Sequence, residues 1–265
     1  MTENVNPGNF GSVHFEKIGD FVLITIDRPD KLNALNEGAW EGLRLSLEAA
    51  ESDDGIRSVF ITGKGRAFCA GDDIEMMSRW KGESDARAWM DSYARPLVDV
   101  MRSYPKPIIA LVNGLAFGGG CEITMLADIV VASEDAIFSL PEVRIGAMPP
   151  IGSTYGLALL NGRIARYLLT GVQIPAERAM DLGLVDLIVP RNMLQEEMVK
   201  LAGEISRCAP LSVKEIKRSI NGVRNTMANL ARNAEDSLTG LASTSDFREG
   251  QAAFLEKRNP NWKGK

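Results

Sequence analysis

A single histidine, His14, serves the whole 265-residue chain. A Ser-His-Asp hydrolase would have to use it, yet it lies in a polar N-terminal stretch and no G-x-S-x-G turn is present. A histidine-rich metal centre is excluded by the same count, and His14 reads as a surface residue of an edge strand. Cysteine is scarce as well: Cys69, Cys121 and Cys208 are odd in number and show no C-x-x-C spacing. Neither a disulfide framework nor a zinc ribbon is indicated, and a reducing compartment fits best. No apolar run approaches the roughly 18 residues that cross a bilayer. Basic residues are not in excess, with 30 Lys and Arg against 35 Asp and Glu and a net charge of −5. Global attraction to phosphate polyanions is therefore missing, and a nucleic-acid partner is not expected. Met1 to Phe10 carries Glu3 but no Arg or Lys, matching neither a secretory signal nor a transit peptide. The expectation is a cytoplasmic protein that associates with no membrane.

What is present is the composition of an ordinary globular domain, 45% hydrophobic and 25% charged. Phe21 to Ile26 (FVLITI) reads as a strand stopped by Arg28-Pro29-Asp30. Trp40, Leu43, Leu47 and Ala50 recur at helical spacing, so an amphipathic helix follows and ends near Asp53-Asp54-Gly55. Ser58 to Thr62 is a second strand, and helical sequence runs on to about Ser103 after a loop of small residues. Pro107 to Val112 (PIIALV) is almost wholly apolar, the pattern of a parallel strand covered on both faces. Cys121 to Ala127 reads as the first turns of a buried helix, and Asp128 to Ala132 and Ala136 to Ser139 as further strands. From Thr154 onward helical patterns dominate, including Leu194 to Ile205 and Leu211 to Leu230, with one late strand at Leu187 to Val189. The fold class is α/β, with a core over 1–195 and a helical region over 196–265.

Three segments could carry chemistry. Asn113 to Glu122 (NGLAFGGGCE) sets three glycines between a buried strand and a helix. The spacing is not G-x-G-x-x-G and no Gly-Lys-Ser/Thr follows, so dinucleotide and Walker phosphate sites are unsupported. One reading is tight helix–strand packing, with Glu122 complementing the helix dipole. The other is an oxyanion hole of backbone N–H groups with Glu122 as a nearby acid or base. Cys69-Ala70-Gly71-Asp72-Asp73 is a second small-residue loop, in which Asp73 suits a helix cap and a metal site is only weakly signalled. Pro141-Glu142 follows a strand, at the sheet edge where ligand sites gather.

Together these segments resemble the enoyl-CoA hydratase/isomerase family, also called the crotonase family. Arg28-Pro29 with Asn33-Ala34-Leu35 is similar to its R-P-x-x-x-N-A-L segment. Ala67 to Ile74 is similar to its A-F-x-A-G-x-D-I loop, and Ile109 to Ile129 resembles its signature nearly throughout. Pro141-Glu142 with Gly146, and the ending Arg248-Glu249-Gly250 to Arg258, keep the same order along almost the whole chain. The resemblance implies a right-handed spiral of β-β-α units with a helical C-terminal region, assembled as a homotrimer or a dimer of trimers. It implies an acyl-CoA thioester substrate, hydration of a 2-enoyl-CoA, and neither a redox cofactor nor a metal. Glu122 and Glu142 match the two catalytic glutamates, and the backbone N–H groups of Asp72 and Gly119 match the oxyanion hole. Lys31 and Ala70 lie where the family contacts CoA, and Phe254 and Lys257 match residues that reach the nucleotide from a neighbouring subunit. From charge alone, Lys31 and Lys257 read as solvated surface lysines.

Two departures bear on the acyl pocket. Asp72 stands where the family often has alanine, and Pro149-Pro150-Ile151-Gly152-Ser153-Thr154 replaces the commoner P-G-x-G-G-T. The two glutamates favour a hydratase. A 3-enoyl to 2-enoyl isomerase and a CoA-ester-binding protein without turnover are the alternatives.

Overall fold

The computed structural model describes residues 8–265, so Met1 to Pro7 of the leader reading lie outside the described residues. The strands β1 (Asn9–Phe10), β2 (Val13–Ile18) and β3 (Phe21–Ile26) form an antiparallel meander. Helix α1 (Glu37–Ser52) then crosses to β4 (Ser58–Gly63), which runs parallel to β3. Asn36 caps α1, its side chain accepting from the Ala39 N–H at 3.0 Å. The face anticipated at Trp40, Leu43, Leu47 and Ala50 is the buried one.

From β4 onward the chain winds so that each circuit lays one strand in each of two sheets. β5 (Ala67–Cys69) starts the smaller sheet, and α2 (Ile74–Met77), α3 (Glu83–Trp89) and α4 (Arg95–Ser103) return the chain to β6 (Ile108–Val112) beside β4. β7 (Leu115–Phe117) joins β5, α5 (Gly119–Leu126) crosses back, and β8 (Ile129–Ser133) and β9 (Ile137–Ser139) extend the two sheets again. This is the β-β-α spiral. After α6 (Leu157–Leu159) and α7 (Ala165–Thr170) come β10 (Ile174–Pro175), α8 (Ala176–Leu182) and β11 (Leu187–Val189). The larger sheet is ordered β1-β2-β3-β4-β6-β8-β11 and the smaller β10-β9-β7-β5. The tail consists of α9 (Leu194–Ser206), α10 (Pro210–Asn225), α11 (Ala228–Leu241) and α12 (Ser245–Leu255).

Every residue of β6 is buried, as an uninterrupted apolar run requires. One side of the large sheet meets the main core. On the other, Leu194, Met198 and Ala202 of α9 cover Phe60, Ile109 and Val131. The structure differs from the sequence-based expectation in several places: the short strands β5, β7 and β10 stand where no strand was expected, and two further differences concern the C-terminal helices and His14. The single helix expected over Leu211 to Leu230 is broken at Thr226–Met227 into α10 and α11. His14 is exposed on β2 as expected, but it is not on the edge: β1 pairs outside it, and His14 Nδ1 lies 2.7 Å from Asn9 Oδ1. Asn9 and Phe10 are too short a run to show a strand pattern. Among the described residues no helix is long and apolar enough to cross a membrane, and all three cysteines are free thiols.

Candidate active site

The site is built where two loops touch. Gly71 has φ +91°, and a Cβ there would come within 2.9 Å of the Phe117 carbonyl oxygen; Gly118 has φ +52°, and a Cβ there would sit 3.5 Å from the Gly71 Cα. Only glycine permits both the conformation and the approach. Asp72 and Gly119 are thereby set side by side. Leu35 donates its N–H to the Gly71 carbonyl at 2.8 Å and accepts from the Asp73 N–H at 3.0 Å, which turns the intervening Asp72 N–H away. Gly119 opens α5, where first-turn N–H groups have no helical partner. Among the described residues neither amide donates to another residue's acceptor. Two free N–H groups at a helix start favour an oxygen that gains negative charge.

Three carboxyl groups surround this turn. Glu122 lies one turn into α5, and its Oε1 accepts from the N–H groups of Ile151 at 2.7 Å and Gly152 at 2.9 Å. The Pro149-Pro150 loop is thus moored to the glutamate. Burial pushes the Glu122 carboxyl up to about 7, against the pull of those two N–H groups. Glu142 begins the turn after β9, and its Oε1 is 3.1 Å from where a Gly118 Cβ would stand. Its Oε2 is buried without a hydrogen-bond partner among the described residues. Burial first, then the neighbouring Glu122, raises Glu142 well above the ordinary carboxyl range. Two neighbouring carboxyls both held above the ordinary range can pass a proton between them, the condition for exchanging one with a substrate. Asp72 is the third: Trp40 Nε1–H donates to its Oδ1 at 2.9 Å, and burial pushes it up to about 6.

A small cavity of about 40 Å³ adjoins the turn, with Asp72, Gly119 and Glu122 in its lining. Its apolar wall is built from Trp40, Trp80 and Trp89. Trp89 packs edge-on to Trp40 with ring centroids 5.9 Å apart and lies 5.3 Å from Trp80. A turn of π-type helix at Met90–Ala94 separates α3 from α4 and brings Met90 and Ala94 to the same wall. From α11, Glu235 completes it, paired with Arg95 at 2.8 Å.

The structure therefore brings Asp72, Gly119, Glu122 and Glu142 together. Ala70 lies one residue from the glycine crossing, its N–H donating to the Leu32 carbonyl at 3.0 Å. Lys31 is exposed and pairs with Glu75 at 2.9 Å. Phe254 and Lys257, both exposed, lie at the end of α12 and do not line the cavity within one chain. Sequence reasoning missed Trp80, Trp89 and Glu235. They fall in segments with no diagnostic spacing; the concentration of tryptophan between 40 and 89 is a signal for Trp80 and Trp89, and none points to Glu235. Among the described residues no group of three His, Cys, Asp or Glu could hold a metal ion.

The family model described as Enoyl-CoA hydratase/isomerase matches residues 17–265. The chain belongs to the enoyl-CoA hydratase/isomerase family. It is 37% identical over 247 residues to the 2,3-dehydroadipyl-CoA hydratase of Escherichia coli K12, covering 92% of this chain and 95% of that one. It is 35% identical to the short-chain-enoyl-CoA hydratase of Clostridium acetobutylicum, covering 93% and 95% of the two chains. An enoyl-CoA hydratase/isomerase structure from Pseudoalteromonas atlantica superposes with a TM-score of 0.86 at 28% identity, covering 95% of this chain and all of the other. Within this crotonase fold, Gly118 separates the free amides from Glu142. Gly118→Ala is expected to cost about 1–3 kcal/mol, because φ +52° with ψ −128° strains any Cβ-bearing residue. A urea unfolding midpoint indistinguishable from the parent's would contradict this.

Proposed function

We propose that the chain is an enoyl-CoA hydratase, a hydro-lyase that reversibly adds water in syn fashion across a 2-trans-enoyl-CoA to give a 3-hydroxyacyl-CoA. The observation that carries the reading is the convergence of Glu122 and Glu142 on the turn that presents the Asp72 and Gly119 amides. The thioester oxygen accepts from those two N–H groups, which draws electrons toward it and makes C3 electrophilic. Water lies between the glutamates. Glu122, fixed by Ile151 and Gly152, accepts its proton as the oxygen bonds to C3. Glu142, the principal acid/base and the group more disposed to hold a proton, delivers one to C2. One proton then passes between the glutamates to restore the pair. No electron is gained or lost overall, so the reaction needs no redox cofactor, and we assign no metal.

Lys31 and Ala70 are assigned to CoA. Phe254 and Lys257 are assigned to the nucleotide of a neighbouring subunit in a homotrimer or dimer of trimers, with 196–265 serving assembly. Free cysteines fit the cytoplasm. The test is loss of the conjugated-thioester absorbance of crotonyl-CoA, with the 3-hydroxy product identified by mass. Absence of turnover by folded protein that still binds CoA esters would overturn the reading. Conversion of a 3-enoyl-CoA alone would establish the isomerase instead.

A further inference from the structure

Asp72 is the carboxyl that a two-glutamate hydration leaves unused, and it stands closest to the oxyanion position. Its backbone N–H is one of the two free amides, so its side chain springs from the hole itself. Trp40 Nε1–H fixes Oδ1 at 2.9 Å, which sets the carboxyl plane. Among the described residues Oδ2 accepts from no other residue, and it lies 3.4 Å from where a Gly119 Cβ would stand. Asp72 and Gly119 line the same cavity. Oδ2 thus stands beside Gly119, on the wall of the cavity that an oxygen held by the two amides would enter.

An ionised Asp72 would oppose negative charge on that oxygen, whereas a protonated one has an O–H to offer it. We propose that Asp72, in its protonated form, donates a third hydrogen bond to the thioester oxygen and is a catalytic residue of the hydration. The proton stays on Asp72 throughout; it is not transferred. The inference rests on the hydratase reading for its reaction.

Burial is what shifts Asp72 toward the protonated form. Glu122 faces Asp72 from α5 and Glu142 from the turn after β9, with Asp73 and the Cys69 thiol on its own segment. Glu235 of α11 lies across the cavity, already paired with Arg95. Arg28, the cation on this side, donates to Asp73 at 3.1 Å. Burial first, then Asp73, raises the carboxyl against the Trp40 N–H and Asp72's own amide, which favour the ion, and it is pushed up to about 6. A bound thioester displaces water and adds developing negative charge, both of which hold the proton more firmly. The sign follows: Asp72 is protonated below its pKa and ionises as pH rises, so the donor is lost on the alkaline side.

The test compares Asp72→Asn with Asp72→Ala. Asparagine keeps the acceptor for Trp40 and supplies an N–H that does not titrate; alanine supplies neither, and both retain the backbone N–H. On crotonyl-CoA, kcat/KM for D72A is expected to fall about tenfold or more below D72N, since one oxyanion donor is commonly worth 10²–10³. The alkaline limb of the wild-type kcat/KM profile is expected at higher pH in both variants. A readout without turnover is the near-ultraviolet absorbance of the acetoacetyl-CoA enolate on binding, weaker in D72A than in D72N. Urea unfolding of each variant separates a folding defect from a lost donor. D72A equal to or above D72N in both assays, or an unmoved alkaline limb, overturns the proposal. Enolate binding that keeps the order D72N above D72A in a protein that hydrates no enoyl-CoA would sink the hydratase reading while the donor role stands.

Discussion

Glu142→Gln is expected to lower kcat for crotonyl-CoA hydration by about a thousandfold, within the 10²–10⁴ that general acid–base catalysis supplies, and to leave KM within a fewfold of its parent value. The variant keeps the shape of the side chain and removes the proton that the proposed mechanism delivers to C2. Its structural cost is small, because Glu142 Oε2 has no partner to lose among the described residues. The binding of CoA esters depends on other groups, so the loss belongs to the transition state and reads out in kcat. Glu122→Gln should also impair kcat, yet Gln retains an oxygen to accept from Ile151 and Gly152, so the loop holds. The pH profile gives a second check. With Glu142 neutralised, the repulsion that helps raise the pair disappears, and the remaining glutamate is expected to titrate at lower pH than the pair does. A variant with kcat within tenfold of wild type would remove Glu142 from the chemistry.

The longer buried strands of this fold were legible because their burial is extreme, an all-apolar run such as Ile108–Val112 having no other stable environment, whereas the two- and three-residue strands β1, β5, β7 and β10 were too short to show a pattern. The crossing of the two glycine loops was not. The three glycines announce close approach, but nothing in the spacing says that Gly71 is the segment approached, since the contact links residues nearly fifty positions apart. A separation of 32 residues likewise hid the Trp40–Asp72 hydrogen bond, although both residues were noticed singly. The resemblance to a family supplied the pairing of Glu122 with Glu142, which composition and period could not. The break between α10 and α11 was missed because apolar residues continue on both sides of Thr226, so periodicity shows no gap. The tryptophan wall depends on a turn of π-type helix whose register no simple pattern encodes.

Asp128→Ala is expected to be the most damaging single change outside the site, at about 3–5 kcal/mol of stability, the usual cost of leaving a buried charge without its partner. Asp128 joins the end of α5 to β8 and accepts from Lys217 at 2.8 Å and Arg224 at 2.9 Å, both on α10. All three side chains are buried, and Lys217 is 2% exposed. The Asp128 carboxylate also accepts from the Ile108 N–H at 2.8 Å, and Arg224 reaches the Ala127 carbonyl at 2.7 Å. Removing the carboxylate strands two cations in the interior and frees one backbone donor. Burial already holds the Lys217 ammonium below its ordinary pKa, with Asp128 as the main restoring influence. Lys217→Met makes the opposite change: it removes the surplus cation and leaves Asp128 and Arg224 matched one to one. It is therefore expected to cost far less than Asp128→Ala, although each variant deletes a charge from the same cluster. Urea midpoints decide between this account and simple counting of ion pairs, which ranks Asp128→Ala and Lys217→Met much closer together. Because α5 starts at the Gly119 amide assigned to the thioester oxygen and ends at this cluster, Asp128→Ala should also lower kcat at temperatures where the protein is still folded. Lys217→Met, with Arg224 still tied to Ala127, should not.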